Sequence, residues 1–598
     1  MKNICLLLIS YLILSCSDTP LQAPASPAIA KPVPENWQQY QADRSQEIKH
    51  HLNSYKAAYD RFADFPVSQT HGIPYLLLKL LPIVAPEYWP DDENFLSVIG
   101  LFKDERHAAY PVARGIGFTG LSRQLDQPVI DRASFTCGGC HIGRVRKDDG
   151  HVIYLDGGIN TEFNVIGFRK RMVETFDALT YGKKIKVEKD QQLVEKFINA
   201  LEWVEKKRPG YFYKNYSFEG RVFDTAYEKQ QIELFKQQAA EIIPAYSERI
   251  RNVYSGWKVL VNKNYSAIKK TMMTAFPGTE DAIGFNSVDA YINFKQKPFL
   301  SLFSGLALAS EAGVTDIMAV WEQQKRNPCW NESKDDLIDG GGQWNGHIPL
   351  LIYKNIAAQL TLGVDNIDIG VSAFSEQLLE ELPAPAYPFS VDVKLAKKGR
   401  KLFQQHCVAC HRDNNGKVYK NIGTDLGRAK IAGKLITTAA VSGFTDVCSP
   451  KTTIEMYGKQ VRPCASYKGV SLVDKERFAM TKPDRHDGYN ALPLVGIWAQ
   501  APYLHNGTIP TIYHLLMPET RPDIFIKSQL FYDQKKLGFA WQEKINDNEG
   551  YQFDTRQAGP VSNKGHDKDI EMNGKTYRLN WKGDEDSVNA IIEYMKTL

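Results

Sequence analysis

The amino-acid sequence predicts a mainly α-helical protein with few short strands, built from two domains. Apolar residues recur at helical spacing in most segments, and the motif Cys-x-x-Cys-His occurs twice, at 137–141 and 407–411. A proline-rich segment, 382–388, separates the stretches that hold the two copies and is typical of a linker. We therefore expect a first domain over 36–385, heavily elaborated with extra helices, and a second domain over 390–598.

Each Cys-x-x-Cys-His motif has the spacing of a covalent haem attachment site. The two thiols add to the two vinyl groups of one porphyrin, and the adjoining imidazole reaches the iron from the proximal face. A zinc knuckle would need two further ligands nearby, and a redox dithiol does not require a histidine after the second cysteine. The sequence therefore predicts two covalently bound haem c groups, each with its iron. Their attachment and proximal residues are Cys137, Cys140, His141, Cys407, Cys410 and His411.

The N-terminus has the features of an export signal. A lysine precedes an apolar run over 4–14 that is too short to cross a bilayer, and a lipoprotein-type cleavage box ends at Cys16. We expect residues 1–15 to be removed, Cys16 to carry a lipid anchor, and residues 16–35 to form a flexible tether. The expected location is the periplasmic side of the outer membrane. Ordinary cleavage would instead give a soluble periplasmic or secreted protein.

Charge and cysteine content limit the possible partners and disulfides. The formal net charge of +4 is small for 598 residues, and no basic stripe is present, so nucleic acid is not an expected partner. Of the nine cysteines, Cys329, Cys448 and Cys464 lie outside the signal and the two motifs. In an oxidising compartment, Cys448 and Cys464 are able to close a short surface loop, which would leave Cys329 unpaired.

Helical patterns predict the main elements of both domains. In the second domain, an apolar face over 391–411 runs into the haem motif, and Gly399 marks a place where another helix crosses closely. That other helix is predicted at the end of the chain, because the acidic N-cap candidates 584–587 precede an amphipathic run. In the first domain, the pattern predicts a solvated helical insert and further helices. The predicted helices span 192–206, 230–253, 298–312 and 348–362.

The segment 489–511 carries a resemblance to a known family. Its Pro502-Tyr-Leu-His-Asn-Gly507 resembles the Pro-Tyr-x-His-x-Gly loop of bacterial di-haem cytochrome c peroxidases, and more closely that of RoxA-type rubber oxygenases in the same superfamily, which includes MauG. Four further blocks resemble the family in the same order, at 114–118, 157–163, 343–347 and 563–566. The resemblance spans nearly the whole chain after the tether and implies a RoxA-like di-haem c-type cytochrome.

The resemblance also implies the distal ligand of the second haem. Di-haem peroxidases have a ligating methionine where this chain has Leu504, which cannot ligate iron. RoxA-like proteins use a histidine near the C-terminus, and His566 matches it. MauG uses the tyrosine of the loop, so Tyr503 is an alternative, as is the neighbouring His505. An iron ligated by two histidines has no open coordination position, so its expected role is electron transfer.

The first haem is then the expected reactive centre, because the sequence offers no convincing distal histidine or methionine for it. RoxA-like enzymes place a phenylalanine beside this site. The matching region aligns ambiguously and lacks the family's usual arginine, so either Ile283 or Phe285 is the expected pocket residue, although ordinary core packing also explains Phe285. Trp321, Trp344 and Trp498 would shorten electron transfer if they lie between the haems, but packing alone also accounts for them.

Two function hypotheses follow. In the first, an exported oxidoreductase activates dioxygen or peroxide at the His141 haem and exchanges electrons at the His411 haem. Its RoxA-like form cleaves a carbon–carbon double bond of an apolar unsaturated substrate with dioxygen. Its peroxidase form reduces hydrogen peroxide with electrons from a small redox protein. In the second hypothesis, both irons are six-coordinate and the protein is an electron-transfer cytochrome or a haem sensor.

Overall fold

The computed structural model describes residues 29–68, 72–90, 93–122, 129–264, 277–281, 313–326, 350–361, 367–415, 417–431, 447–467, 488–545, 549–556 and 561–598, with the short pieces 291, 295, 301–302, 329–331, 336–338, 348 and 470–471. The predicted signal, Cys16 and most of the predicted tether lie outside the described residues. Most of the predicted helix 298–312 also lies outside them.

Helices dominate the described residues, which confirms the prediction of a mainly α-helical fold. The α-helices are α1 (Trp37–Ser54), α2 (Lys56–Asp64), α3 (Tyr75–Val84), α4 (Cys137–His141), α5 (Val165–Leu179), α6 (Lys186–Lys207), α7 (Thr225–Asn264), α8 (Leu351–Thr361), α9 (Ile369–Glu381), α10 (Val393–His406), α11 (Gly427–Ile431), α12 (Ile512–Leu516) and α13 (Glu585–Met595). Single 3-10 turns occupy Phe95–Ile99, Glu105–His107, Thr119–Leu121, Gln323–Arg326, Ile497–Ala499 and Pro518–Thr520.

The strands are short, as predicted, and pair antiparallel. They are β1 (Ile73–Pro74), β2 (Ile116–Phe118), β3 (Arg132–Phe135), β4 (Ile142–Arg146), β5 (Val152–Asp156), β6 (Tyr216–Phe218), β7 (Arg221–Phe223), β8 (Thr279–Glu280), β9 (Thr315–Asp316), β10 (Cys329–Asn331), β11 (Asp336–Ile338), β12 (Val418–Tyr419), β13 (Ile454–Met456), β14 (Lys459–Val461), β15 (Ser466–Tyr467), β16 (Val470–Ser471), β17 (Tyr489–Asn490), β18 (Ile524–Lys527), β19 (Tyr532–Asp533), β20 (Gly538–Phe539), β21 (Tyr551–Asp554), β22 (Ile570–Met572) and β23 (Lys575–Tyr577). One sheet has three strands, in the order β1-β3-β2, and the others described have two.

The helix crossing predicted in the C-terminal part is present. Asp392 caps α10 by accepting a hydrogen bond from the Leu395 amide, and Asp584 caps α13 through the Ser587 amide. A Cβ placed on Gly399 would lie 1.8 Å from the carbonyl oxygen of Ala590. The two helices therefore touch backbone to backbone at this glycine, immediately before the second haem motif.

The predicted helical insert of the N-terminal part is formed by α6 and α7, which contain the predicted spans 192–206 and 230–253. The β6–β7 hairpin stands between these two helices. The helix predicted over 348–362 begins three residues later, at Leu351, and ends at Thr361. Only one face of α6 is buried, as an amphipathic surface helix requires.

The structure differs from the prediction at the end of the tether. Arg400 donates hydrogen bonds to the carbonyls of Ala30 and Lys31, and Tyr594 donates to the same Lys31 carbonyl. Ala30 and Val33 are buried against this surface. Residues 30–33 are therefore docked on α10 and α13, because backbone carbonyls and small apolar side chains match the surface of these two helices.

Contacts between the two halves of the chain are extensive and include buried charges. Lys527 Nζ lies 2.7 Å from Asp316 Oδ1, and both side chains are buried. The Arg428 guanidinium lies 3.1 Å from the Glu280 carboxylate. The indole of Trp321 donates to the carbonyl of Val495 over 2.9 Å. The two halves therefore share one hydrophobic core, and neither haem motif stands in an isolated unit.

Cys448 and Cys464 form a disulfide, as the sequence analysis considered, although both sulfurs are buried rather than at the surface. They pack in a small apolar cluster with α8. For Cys329, the structure describes the backbone, which belongs to β10, and not the side chain. Among the helices that the structure describes, none is long and apolar enough to cross a membrane.

Candidate functional site

The first motif forms the short helix α4, which is held by one glycine-dependent contact and by hydrogen bonds from Asn160. Gly115 has φ +93°, and a Cβ there would lie 2.5 Å from Gly139 Cα. The Asn160 side chain donates to the carbonyl of Gly139 over 3.0 Å, and its amide donates to the carbonyl of Cys140 over 2.9 Å. The blocks around 114–118 and 157–163, singled out in the sequence, therefore fix the position and orientation of α4.

Both thiols of the first motif face the interior. Burial raises the pKa of Cys137 to about 11 and that of Cys140 to about 12. The Cys137 sulfur lies 3.9 Å from the Ser375 hydroxyl of α9. A catalytic dithiol needs a thiolate of lowered pKa at an accessible position, so this environment does not resemble a redox-active dithiol site.

The His141 imidazole is held neutral beside the main chain of Met318. Burial lowers its pKa to about 4, and the Met318 backbone partly opposes this shift. A neutral imidazole is the form that ligates iron. The Nδ1 atom of His141 is buried without a hydrogen-bond partner among the described residues.

The second motif differs from the first because the Nδ1 atom of its histidine has a hydrogen-bond partner. His411 Nδ1 lies 2.7 Å from the carbonyl oxygen of Leu492, so Nδ1 carries the proton and Nε2 has a free lone pair. Pairing of β12 with β17 brings the segment that follows Asn490 against the motif. Burial lowers the pKa of His411 and raises that of Cys407 to about 12. The residues present therefore fit a c-type haem, with Leu492 orienting the proximal ligand.

His566 lies on the same site as His411. Burial lowers the pKa of His566 to about 3, and the nearby charges of His411 and Arg521 lower it further. Its Nδ1 atom is buried without a hydrogen-bond partner among the described residues, and its backbone has φ +52°. The His566 amide donates to the carbonyl of Ile422 over 2.7 Å.

Arg521 holds the loop that carries His566. Its guanidinium donates to the carbonyls of Asn563 and Gly565, over 2.8 and 3.0 Å, and also to the carbonyls of His514 and Leu515 in α12. This cation joins the His566 loop to α12, so it fixes where the imidazole stands.

The two alternative distal ligands, His505 and Tyr503, are engaged elsewhere. The His505 ring stacks on Tyr489 with centroids 4.4 Å apart, and its Nε2 lies 3.3 Å from the Tyr489 hydroxyl. The Tyr503 hydroxyl lies 3.3 Å from the Ile497 carbonyl and 3.2 Å from that of Leu537. Within the described residues, neither side chain has a contact with the second motif.

Trp321 connects the surroundings of the two motifs. A Cβ on Gly158, in the block after the first motif, would lie 3.3 Å from the Trp321 ring, and one on Gly496, after Leu492, would lie 2.7 Å from it. Trp498 is also buried, but its indole donates to the carbonyl of Pro385 in the linker. Of the two described tryptophans considered for electron transfer, Trp321 is the one with contacts toward both motif regions.

Ile283, Phe285 and Trp344 lie outside the described residues. Strand β8, which precedes Ile283 and Phe285 in the chain, is described. It pairs with β9, which ends two residues before Met318. In the described ranges, no group of three or more His, Cys, Asp or Glu side chains is arranged to hold a metal ion by itself. Each motif instead offers one imidazole and two thiols.

Sequence reasoning did not identify the carbonyls of Met318 and Leu492 or the buried cations Arg326 and Lys354. A backbone carbonyl leaves no side-chain signal. A signal for Lys354 exists, because this single cation interrupts the otherwise uncharged and largely apolar helix α8.

Two family matches cover parts of the chain. Residues 488–526, which include Leu492 and the His505 loop, match the family described as RoxA-like, cytochrome c-like. Residues 57–141, which end at the first motif's histidine, match the family described as a Y4iN-like domain. The C-terminal part of the chain is therefore similar to a RoxA-like cytochrome c.

Two relatives from Sinorhizobium fredii (strain NBRC 101917 / NGR234) are similar over longer stretches. The uncharacterized protein y4iM is 35% identical over 302 residues, which are 48% of this chain and 65% of that protein. The uncharacterized protein y4iJ is 30% identical over 250 residues, which are 35% of this chain and 39% of that protein. The chain thus spans less than two thirds of the length of either relative.

Proposed function

We propose that the protein is an exported di-haem c-type oxidoreductase, in which the first site acts on dioxygen or peroxide and the second site transfers electrons. The observation that carries the proposal is the contrast between the two proximal histidines. A second imidazole, that of His566, lies close enough to His411 for His411 to lower its pKa, whereas none of the described groups that shift the pKa of His141 is an imidazole.

The residues of each site have separate roles. In the first site, Cys137 and Cys140 would hold the porphyrin and His141 would ligate its iron. In the second, Cys407 and Cys410 would hold it, and His411 and His566 would be the ligands. When bound, haem c supplies the redox and oxygen chemistry. The contribution of the chain is to keep both imidazoles in their neutral form by partial burial and to hold His411 by the Leu492 carbonyl.

The similarity of 488–526 to a RoxA-like cytochrome c supports two forms of the proposed activity. In the RoxA-like form, dioxygen cleaves an apolar unsaturated substrate and no outside electron donor is needed. In the peroxidase form, a small redox protein supplies electrons for peroxide reduction. Turnover with and without an added donor separates the two forms.

We also propose that the protein is lipidated at Cys16 and faces the periplasm from the outer membrane. The disulfide between Cys448 and Cys464 supports an oxidising compartment. Soluble periplasmic or secreted protein remains the alternative, and labelling with a radioactive fatty acid distinguishes the two.

Electron paramagnetic resonance of the as-isolated protein tests the coordination. We expect one high-spin and one low-spin ferric signal, with the low-spin signal replaced by a second high-spin signal in His566→Ala. His151→Ala, at an exposed histidine, is the matched control and leaves both signals unchanged. Two low-spin signals in the parent, unaltered by cyanide, would instead support an electron-transfer cytochrome or a haem sensor. A low-spin signal that persists in His566→Ala would show that another residue is the ligand.

A further inference from the structure

Lys354 is a buried cation without a hydrogen-bond partner. Its side chain is 9% exposed, and in the described part of the chain no acceptor lies within hydrogen-bond distance of Nζ. Burying a charged amine without a partner is costly, so such groups are normally paired with an anion. Burial lowers the pKa of Lys354 to about 7, and the positive charge of Arg326 also contributes to this lowering.

The surroundings of Lys354 carry an excess of positive charge. Arg326 is 2% exposed, and its described hydrogen bond goes to the carbonyl of Ala319, over 3.2 Å. The acid whose charge acts on Lys354 is Glu376, and burial raises the pKa of Glu376 to about 8, so it is mostly protonated at neutral pH. Glu322, which interacts with Arg326, forms an ion pair with Lys325 and accepts from the Ala384 amide. Neither carboxyl group is therefore free to neutralise these two cations.

Two independent contacts place this pair of cations beside the first haem motif. Ala319, the acceptor of Arg326, directly follows Met318, whose main chain faces His141. Ser375 of α9 touches the Cys137 sulfur, and the next residue of the same helix is Glu376, which interacts with Lys354. The cluster of Arg326, Lys354 and Glu376 therefore lies at the edge of the first site. It is connected to the site through the Met318 main chain beside His141 and through α9 beside Cys137.

We infer that Arg326 and Lys354 bind the propionate carboxylates of the first haem. This inference rests on the proposed function, because it takes a haem at the first motif as given. A haem c carries two carboxylates, and in a buried site they need charge-assisted hydrogen bonds from cations. Arg326 offers a planar fork and Lys354 a point charge, so the two cations match the two carboxylates in number.

The inference is tested on holoprotein from a host that matures c-type cytochromes. The variants are Lys354→Met, Lys354→Arg and the control Lys206→Met, at an exposed lysine of α6. Haem content of the denatured protein is measured first, followed by spectroelectrochemical titration of both haems. Resonance Raman spectra report the propionate bending bands.

We expect Lys354→Met to lower the reduction potential of the haem that responds to cyanide, because loss of a buried positive charge favours the ferric state. Lys354→Arg is expected to restore the potential while shifting the propionate bending band. Lys206→Met is expected to match the parent in both measurements.

Unchanged potentials and unchanged Raman bands in both Lys354 variants, at full haem content, would overturn the inference. A shift confined to the other haem would overturn its assignment to the first site. If Lys354→Met does not fold, an unchanged propionate band in Lys354→Arg would overturn the inference. Fewer than two haems in the parent would contradict the proposed function itself, before any variant is compared.

Discussion

At the scale of single residues, burial beside the first motif determines which side chains are charged. Glu376 is the clearest case, because burial and the neighbouring Glu380 raise its pKa to about 8. A carboxyl group whose pKa is higher in the folded than in the unfolded protein binds more protons when folded. Its favourable contribution to stability is therefore complete below about pH 4, near the unfolded pKa. That contribution is lost as the pH rises through about 8.

The variant Glu376→Gln tests this assignment, because the amide imitates the protonated carboxyl at every pH. We expect the free energy of unfolding of the parent to fall more steeply between pH 5 and pH 8 than that of Glu376→Gln. Denaturant titrations at the two pH values measure the difference. Glu381→Gln, at an exposed position of the same helix, is the control and should retain the steeper dependence. Identical slopes in the parent and Glu376→Gln would show that Glu376 is ionised throughout this range.

The residue scale also shows the limit of what the sequence can predict. The spacing Cys-x-x-Cys-His identifies the attachment residues because the chemistry requires consecutive positions along the chain. The Leu492 carbonyl orients His411 from a position 81 residues away, and the Met318 main chain lies beside His141 from 177 residues away. A residue with any side chain would supply the same backbone groups. Contacts of this kind depend on tertiary structure and leave no pattern in the sequence.

At the scale of elements, the crossing of α10 and α13 controls the position of the second motif. An exposed helical glycine replaced by alanine usually gains stability, by about 1 kcal/mol. At Gly399 the sign is expected to reverse, because the new Cβ would lie 1.8 Å from the Ala590 carbonyl oxygen. We expect Gly399→Ala to lose about 1–3 kcal/mol, the usual cost of overpacking.

Chemical denaturation followed by the Soret band measures this loss. Lys398→Ala, at the exposed neighbouring position, is the matched control and should not be destabilised. A Gly399→Ala protein as stable as the parent would mean that α10 and α13 are farther apart than described here.

The elements were predictable where one physical requirement determined the pattern. The amphipathic run and acidic caps of α13 indicated a helix, and Gly399 indicated its close neighbour. The docking of residues 30–33 was not predictable, because their serine-, proline- and alanine-rich surroundings are typical of a linker and the contact uses backbone carbonyls. The start of α8 at Leu351 instead of residue 348 is a difference of less than one turn, which sequence patterns do not resolve.

At the scale of the whole molecule, the two motif regions belong to one packed body. The buried pair Asp316–Lys527, the pair Glu280–Arg428 and the packing of Trp321 against Gly158 and Gly496 all join residues from different halves of the chain. Electron exchange between two sites depends on the distance between them, which such contacts help to fix. This arrangement therefore suits the proposed division of work between a reactive site and an electron-transfer site.

The central claim is that each motif carries one covalently attached haem. The most direct test is the haem content of denatured, acid-acetone-washed protein from a host that matures c-type cytochromes, measured as pyridine haemochrome per chain. We predict two equivalents, falling to one in a variant that lacks Cys137 and Cys140 and to one in a variant that lacks Cys407 and Cys410. One equivalent or none in the parent protein would contradict the account.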